Sequence, residues 1–378
     1  MSDVPPVTVL MTVRNGRPFV KEAVASVLGQ SHTDLRLLVL DNASTDGSRD
    51  DVTSFGDSRV DLVALDNDLG QTGALNKGLA MIDSPLVARM DADDVCMPER
   101  IARQMAAMQH SDDDVAVVGS GVRLISRQGK AEGSWSGKLQ GRGDFLFSLL
   151  ANTVPLYHPA VMFRRDAVDK VGGYDPDFAP AEDYELWVNL VLAGYSAIVL
   201  KEPLLKLRRH EGQTSNVATA GQNRNLARAR RGLMKSLGVA DPQPAFYRFF
   251  DFDTDVFDEL DGESDVGRLT GVINRLLKMA PAATGMTRRE SRRFDRALRE
   301  RAAALALLGA LTGRGTATRS LFDFAIAGGP GMLTRLDMLL YPLARLPGPL
   351  RKSASAIKVL ASAAQNVTQT VIRNTANG

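Results

Sequence analysis

A chain of 378 residues that is 44% hydrophobic and 24% charged is too long for one ordinary domain and too apolar to be disordered. The single Cys96 excludes an internal disulfide, the opening MSDVPPVTVL lacks the basic flank and apolar stretch of a signal peptide, and no uninterrupted apolar run reaches bilayer-spanning length, so a reducing, cytoplasmic setting is expected. The formal net charge of +2 conceals a split, because from Pro281 onward fifteen Arg and Lys face five Asp and Glu, a balance of +10 that leaves −8 for residues 1–280.

In chain order, the β-branched run Val7–Val13 predicts a first strand. Phe19, Val20, Ala23, Val24, Val27 and Leu28 recur at helical spacing, which predicts an amphipathic helix over Pro18–Leu28 with proline at its start. Leu35–Leu40 predicts a second strand with DNASTDGS at its C-terminal end. A strand over Val60–Leu65, a helix over Thr72–Ile82 and a strand over Leu86–Met90 continue the alternation. Alternation of this kind is that of βαβ units, so an α/β layer architecture with a mostly parallel sheet is expected.

Residues 88–101 read ARMDADDVCMPERI and set Asp91, Asp93 and Asp94 between an apolar run and a helix that starts at Pro98. Three carboxylates within four residues repel one another, and an apolar flank raises the cost of keeping them charged, so a bound cation is the natural compensation. Asp41, ending the second strand, falls on the same C-terminal rim, where the loops of open α/β sheets converge on ligands. A nucleoside diphosphate bridged by Mg²⁺ or Mn²⁺ fits, since both ions take hard oxygen ligands from one or two carboxylates, phosphates and water. An Asp-x-Asp triplet is also common in solvated loops, and Asp93 is equally placed to cap the helix from Pro98.

Further along, HPAVMFRRDAV carries His158 before an apolar run. VGGYDPDFAPAEDYELW carries Glu182 and Asp183 before an apolar helix over Leu186–Leu192, where acids also serve simply to start a helix. Asn223–Leu237 bears Arg224, Arg228, Arg230, Arg231 and Lys235 on a helical pattern, and Arg288–Leu308 is a second basic helical stretch. Between them lies the acidic DFDTDVFDELDGESD, and Gly331–Leu360 mixes Leu and Met with basic residues and is broken by Pro342, Pro347 and Pro349. No G-x-x-x-x-G-K-[ST] run and no strand-linked G-x-G-x-x-G occurs, so ATP hydrolysis and dinucleotide redox have no starting motif.

Taken together, VTVLMTVRNGRPFVKEAVASVLGQSHTDLRLLVLDNASTDGS, NDLGQTGALNKGLA, VARMDADDVCMPERI, HPAVMFRRDAV, VGGYDPDFAPAEDYELW and LLKLRRHEGQTS occur in the order and spacing of the family 2 glycosyltransferases, inverting enzymes with the GT-A nucleotide-sugar fold. The chain closely resembles that family over residues 5 to about 215. The resemblance implies a Rossmann-like catalytic domain over 1–215 and leaves 216–378 as a helical, basic region of unassigned role. It implies that Thr12, Arg14 and Asn15 line the base and ribose, that Asp41 opens the segment contacting the base, and that Asp91 and Asp93 meet metal and diphosphate, with Asp93 the direct ligand. Asp183 matches the general base, and His210 a position near the metal or diphosphate. Asn42 stands where a second acid is common, and its amide can still hydrogen-bond a pyrimidine, which leaves uridine and thymidine carriers both open.

An inverting transfer is one in-line displacement, so a single carboxylate that takes the acceptor proton suffices, and Asp183 is the expected group. Lys77 and Arg89 flank the cation site and can neutralise phosphate, although Lys77 also fits a solvated helix position. His158 is expected either to contact acceptor or sugar or to be a buried histidine satisfied by a backbone group, Glu182 to contact acceptor or sugar or to start a helix, and Trp187 to be core or an acceptor-sugar platform. The expected function is transfer of one hexosyl or deoxyhexosyl unit from a UDP or dTDP sugar to a hydroxyl, on a glycan or lipid-linked acceptor, in cell-envelope glycan or exopolysaccharide assembly. A sugar nucleotidyltransferase is disfavoured because TVRNGRPF is not a Gly-rich loop, and a non-catalytic glycan-binding or nucleotide-sugar-binding protein because Asp93 and Asp183 are both kept. A processive synthase would carry spanning helices and a Gln-x-x-Arg-Trp segment, which are absent. No nucleic-acid partner is expected, while the basic C-terminal part, with Arg335, Arg345, Arg351 and Lys352, suits either attachment to the inner face of the cell membrane or packing within a homo-oligomer.

Overall fold

The computed structural model describes residues 7–153, 156–211, 219–239, 243–251, 263–311, 321, 323–325 and 327. The segment bearing Arg335, Arg345, Arg351 and Lys352 lies outside the described residues. The chain divides into two compact units, Met1–Leu149 with Val154–Leu233, and Leu150–Thr153 with Met234–Gly378.

The first unit is built on four parallel strands, β1 (Val7–Val13), β2 (Leu35–Asp41), β3 (Val60–Ala64) and β4 (Leu86–Asp91). Strand β1 is buried almost end to end, as expected of a parallel strand covered on both faces, and its β-branched residues suit the pleat. Helix α1 (Val20–Leu28) buries Val20, Ala23, Val24 and Val27, each fully enclosed Val contributing about 1.5–3 kcal/mol. Pro18 and Phe19 stand in the turn before it rather than in the helix. Helix α2 (Ser48–Thr53) occupies the end of what the sequence presents as a polar loop, and α3 (Gly70–Leu79) starts and ends earlier than periodicity implies. Gly78 lets α3 lie close on the sheet, because a Cβ there would stand 2.4 Å from Leu10 and 3.0 Å from Leu40.

After β4 come the short β5 (Val95–Cys96), α4 (Arg100–Gln109), the long β6 (Val115–Ile125), β7 (Ala131–Trp135), α5 (Arg142–Leu150), β8 (Val161–Arg164), α6 (Arg165–Lys170), α7 (Glu182–Leu192) and β9 (Ser196–Arg208). The strands join one sheet in the order β3-β2-β1-β4-β8-β6-β9-β5, with β7 paired to β6. Strand β8 runs antiparallel to both β4 and β6, and β6 is parallel to β9. Two reversals restore the original direction, so the C-terminal end of β9 arrives on the same rim as the ends of β1, β2 and β4. Helix α8 (Thr219–Ser236) follows and runs past the boundary of the first unit.

The second unit is helical among its described residues. Helix α9 (Pro244–Asp251) buries Ala245, Phe246, Phe249 and Phe250. Helices α10 (Glu263–Thr284) and α11 (Arg288–Leu311) pack together, and α11 opens with a capping box. Glu290 accepts from the Thr287 N–H at 2.9 Å while Thr287 Oγ1 accepts from the Glu290 N–H at 3.3 Å, which satisfies two donors that helix geometry leaves unpaired.

Candidate active site

The loops after β1, β2 and β3 are braced into one wall. Asp68 is the shared acceptor, taking a hydrogen bond from Asn42 Nδ2 at 2.7 Å and an ion pair from Arg14. The other end of the Asn42 carboxamide accepts the Leu69 N–H at 2.9 Å, so both polar ends of that side chain are already partnered. Asn15, at positive φ, accepts the Thr45 N–H at 2.9 Å. Asp41 is fully buried and is held by Arg49 Nε at 2.7 Å and the Ser44 N–H at 3.0 Å. Thr12 is half-buried on β1 with Leu40 and Asp91 as its neighbours in register. Lys77 is exposed near the end of α3.

The acidic turn after β4 brings Asp91, Asp93 and Asp94 together, with one carboxylate oxygen from each lying within 4.8 Å of the others. Asp93 accepts from His210 Nε2 at 2.8 Å, and the His210 ring packs 5.1 Å from Phe19. Asp94 is buried; one of its oxygens accepts the Arg208 N–H at 2.8 Å and the other has no hydrogen-bond partner. Burial first, and then the neighbouring carboxylates, push the Asp93 carboxyl up and the Asp94 carboxyl well up from the usual range. A divalent cation fits this set: hard oxygen donors converge, one buried oxygen is orphaned, and the repulsion among them lacks a full counter-charge.

Two arginines organise the turn. Arg89 is fully buried on β4 and pairs with Asp91, while its Nε and Nη2 have no hydrogen-bond partner. Burial works against its charge, and Asp91 more than restores it, so its pKa is raised. Arg208, at the end of β9, donates to the carbonyl of Asp93 at 2.8 Å, to the carbonyl of Arg127 at 3.0 Å and to the Glu22 carboxylate at 2.6 Å, and its guanidinium lies 4.7 Å from the Phe19 ring centre. It sits beside His210 in a motif read from the sequence, yet its role depends on partners more than 80 residues distant and has no local signature.

The Arg89 charge also reaches the start of α7. The helix starts at Glu182, four residues before the apolar run, which puts Glu182 and Asp183 in its first turn where acids favour the helix dipole. Glu182 is 6% exposed, and burial followed by the adjacent Asp183 raises its carboxyl to about 7. Asp183 is half-buried and accepts the Tyr184 N–H at 2.8 Å. Desolvation pushes its carboxyl up, opposed by that N–H and by the Arg89 charge. Behind it, Trp187 is 1% exposed and stands edge-on to His158 with ring centres 6.2 Å apart. His158 is buried and satisfied not by a backbone group but by the Tyr174 hydroxyl, 2.8 Å from Nε2, and burial pushes its pKa well down, which keeps the ring neutral. Asn76 of α3 clamps Tyr174 from both sides, accepting its N–H at 3.0 Å and donating to its carbonyl at 2.7 Å. The signal that marks Asn76 in the sequence is weak: a poor helix former in a helix interior.

Comparison with known proteins follows the same outline. Residues 8–172 match the family model described as Glycosyl transferase family 2. A relative named amylovoran biosynthesis glycosyltransferase AmsE, from Erwinia amylovora, is 35% identical over 147 residues, covering 39% of this chain and 53% of that protein. O-antigen biosynthesis glycosyltransferase WbnJ from Escherichia coli is 28% identical over 224 residues, covering 57% of this chain and 84% of the relative. Among solved structures, S. aureus TarS in complex with UDP-GlcNAc superposes with a TM-score of 0.50 at 14% identity, covering 85% of this chain and 90% of that one, which is a likeness of fold.

Proposed function

We propose, from the match of residues 8–172 to the family model of glycosyl transferase family 2, that this chain transfers one sugar with inversion, and with a divalent cation, from a nucleoside diphosphate of the UDP or dTDP type to an acceptor hydroxyl. The acceptor is a glycan or lipid-linked sugar met at the inner face of the membrane, in the assembly of a cell-envelope glycan or exopolysaccharide. The named roles of AmsE and WbnJ support that setting. No described helix is long and apolar enough to cross a membrane.

One observation carries the reading: three carboxylates converge in the acidic turn, and the fully buried guanidinium of Arg89, paired with Asp91 there, is also the positive charge that opposes the upward shift of the Asp183 carboxyl. Thr12 near the end of β1, Arg14 and Asn15 in the loop after it, and Asp41 support a nucleoside site on the same rim. Asp91 and Asp93, with His210 bonded to Asp93, would hold the cation. Bound there, the cation supplies stabilisation of the charge that grows on the leaving diphosphate. Asp183 takes the proton of the attacking hydroxyl, and desolvation suits it to that task by making its carboxylate a stronger base. Tyr174, His158 and Trp187 back the helix that carries Asp183 and fix its position.

The test separates binding from chemistry. Asp93→Asn is expected to abolish metal-dependent donor binding in calorimetry while the fold stays intact, and Asp183→Asn to keep donor affinity and lose about 10²–10⁴-fold in turnover. Unchanged metal dependence in the first variant, or near-normal turnover in the second, overturns the assignment.

A further inference from the structure

We infer that helix α8 is the surface on which this chain meets an anionic bilayer, a reading that rests on the proposed transfer to a membrane-borne acceptor. The helix TAGQNRNLARARRGLMKS contains no Asp or Glu. Arg224, Arg228, Arg231 and Lys235 follow one another at i, i+4, i+7 and i+11, and all four are exposed. At 100° per residue they fall within a sector of about 60°, and at 1.5 Å per residue the stripe runs for about 16 Å. The opposite side buries Ala229, Leu233, Met234 and Leu237, so the helix cannot rotate to hide its cations.

The stripe is not consumed by ion pairs. Among the described residues, Arg224, Arg231 and Lys235 have no acidic partner within salt-bridge distance. Arg228 serves inward instead: its guanidinium lies 4.2 Å from the Phe178 ring centre and donates to the Asp177 carbonyl at 3.3 Å, while Asn225 donates to the Ala179 carbonyl at 2.8 Å. Those contacts fasten the first half of α8 to residues 177–179, which lead directly into Glu182 and Asp183. The basic face is therefore tied to the segment that positions the proposed base. Cations spread over about 16 Å are more widely spaced than one diphosphate can span, whereas a headgroup layer offers negative charge along the whole stripe. A bilayer seated there would lie against the helix that is fastened to the segment leading into Asp183.

The experiment uses the full chain and vesicles of phosphatidylcholine with or without phosphatidylglycerol, separated by sedimentation. The wild type is expected to bind the anionic vesicles at low salt, to release as salt rises past physiological strength, and to ignore the neutral ones. Each exposed cation contributes about fivefold to binding, so R224Q/R231Q/K235Q should bind on the order of a hundredfold more weakly with an unchanged circular-dichroism melt. Slow hydrolysis of a nucleotide sugar, chosen by a donor screen, should be the same in both proteins. Equal binding of the wild type to both vesicles, binding to neither, or full binding by the triple variant overturns the inference. Absence of donor turnover in the wild type would instead count against the transferase reading and leave vesicle binding to be judged by itself.

Discussion

Arg208→Met removes the donors that hold the acidic turn while keeping the volume of the aliphatic stem. The magnitude follows from what is left behind. The carbonyls of Asp93 and Arg127 each lose an N–H donor, and since Arg127 is exposed and Asp93 half-buried, the lower end of the range for stranded acceptors applies, about 1 kcal/mol apiece. Loss of the guanidinium from the Phe19 face costs about 0.5–1 kcal/mol more. The Glu22 pair adds little, because that carboxylate is 57% exposed and returns to water. The total of about 2–4 kcal/mol should lower Tm by roughly 5–15 °C for a unit of this size. The turn itself should loosen as well, and because Arg208 supports the ligands from outside, Mn²⁺ affinity is expected to fall by about 10–100-fold. Circular-dichroism melts and Mn²⁺ titration by calorimetry measure the two effects. A variant that melts within about 1 °C of wild type and binds Mn²⁺ equally well would refute the view that β9 holds the acidic turn in place.

Asn76→Ala strands the N–H and carbonyl of Tyr174 and should cost about 2–4 kcal/mol in urea unfolding, with turnover falling more than donor affinity because the base-side wall moves; unchanged stability would mean water replaces both bonds. Glu182→Gln should change the pH dependence of stability in metal-free protein. The folded carboxyl, at about 7, holds its proton longer than the unfolded one at 4.5, so its contribution is fully present below about pH 4.5 and is lost as pH rises through 7, on the order of 3 kcal/mol in all. The variant's Tm should therefore be flatter from pH 5 to 8 and exceed wild type at pH 8, and a wild-type profile that is already flat would contradict the burial argument.

What could be read from the sequence was what is local. Strand β1 lies where its β-branched run puts it, and the acidic turn is three residues that sit together in chain as in space. Helix α2 was hidden because Ser48–Thr53 is polar and packs only Ser48 and Val52 inward. Strand β9 was hidden by Lys201, Glu202 and Pro203, which break its apolar pattern where its pairing with β6 also slips register. Helix α7 was shortened because Glu182 and Asp183 look like a preface to the apolar stretch and not its first turn. In the site, Asp183 and the acidic turn are legible as residue types in context, whereas Asn76 and Arg208 act through partners 98 and 115 positions away and carry no pattern of their own.

The insertion of β8 between β4 and β6 also dictates an order of events during synthesis. Strands β1 to β4 and their helices can pair as soon as they emerge, but the open edge of β4 has no partner until residue 161 is made. At about 5–20 residues per second, the 70 positions from Asp91 to Val161 leave that apolar edge unpaired for roughly 4–14 s. An exposed edge of this kind invites pairing with another nascent chain.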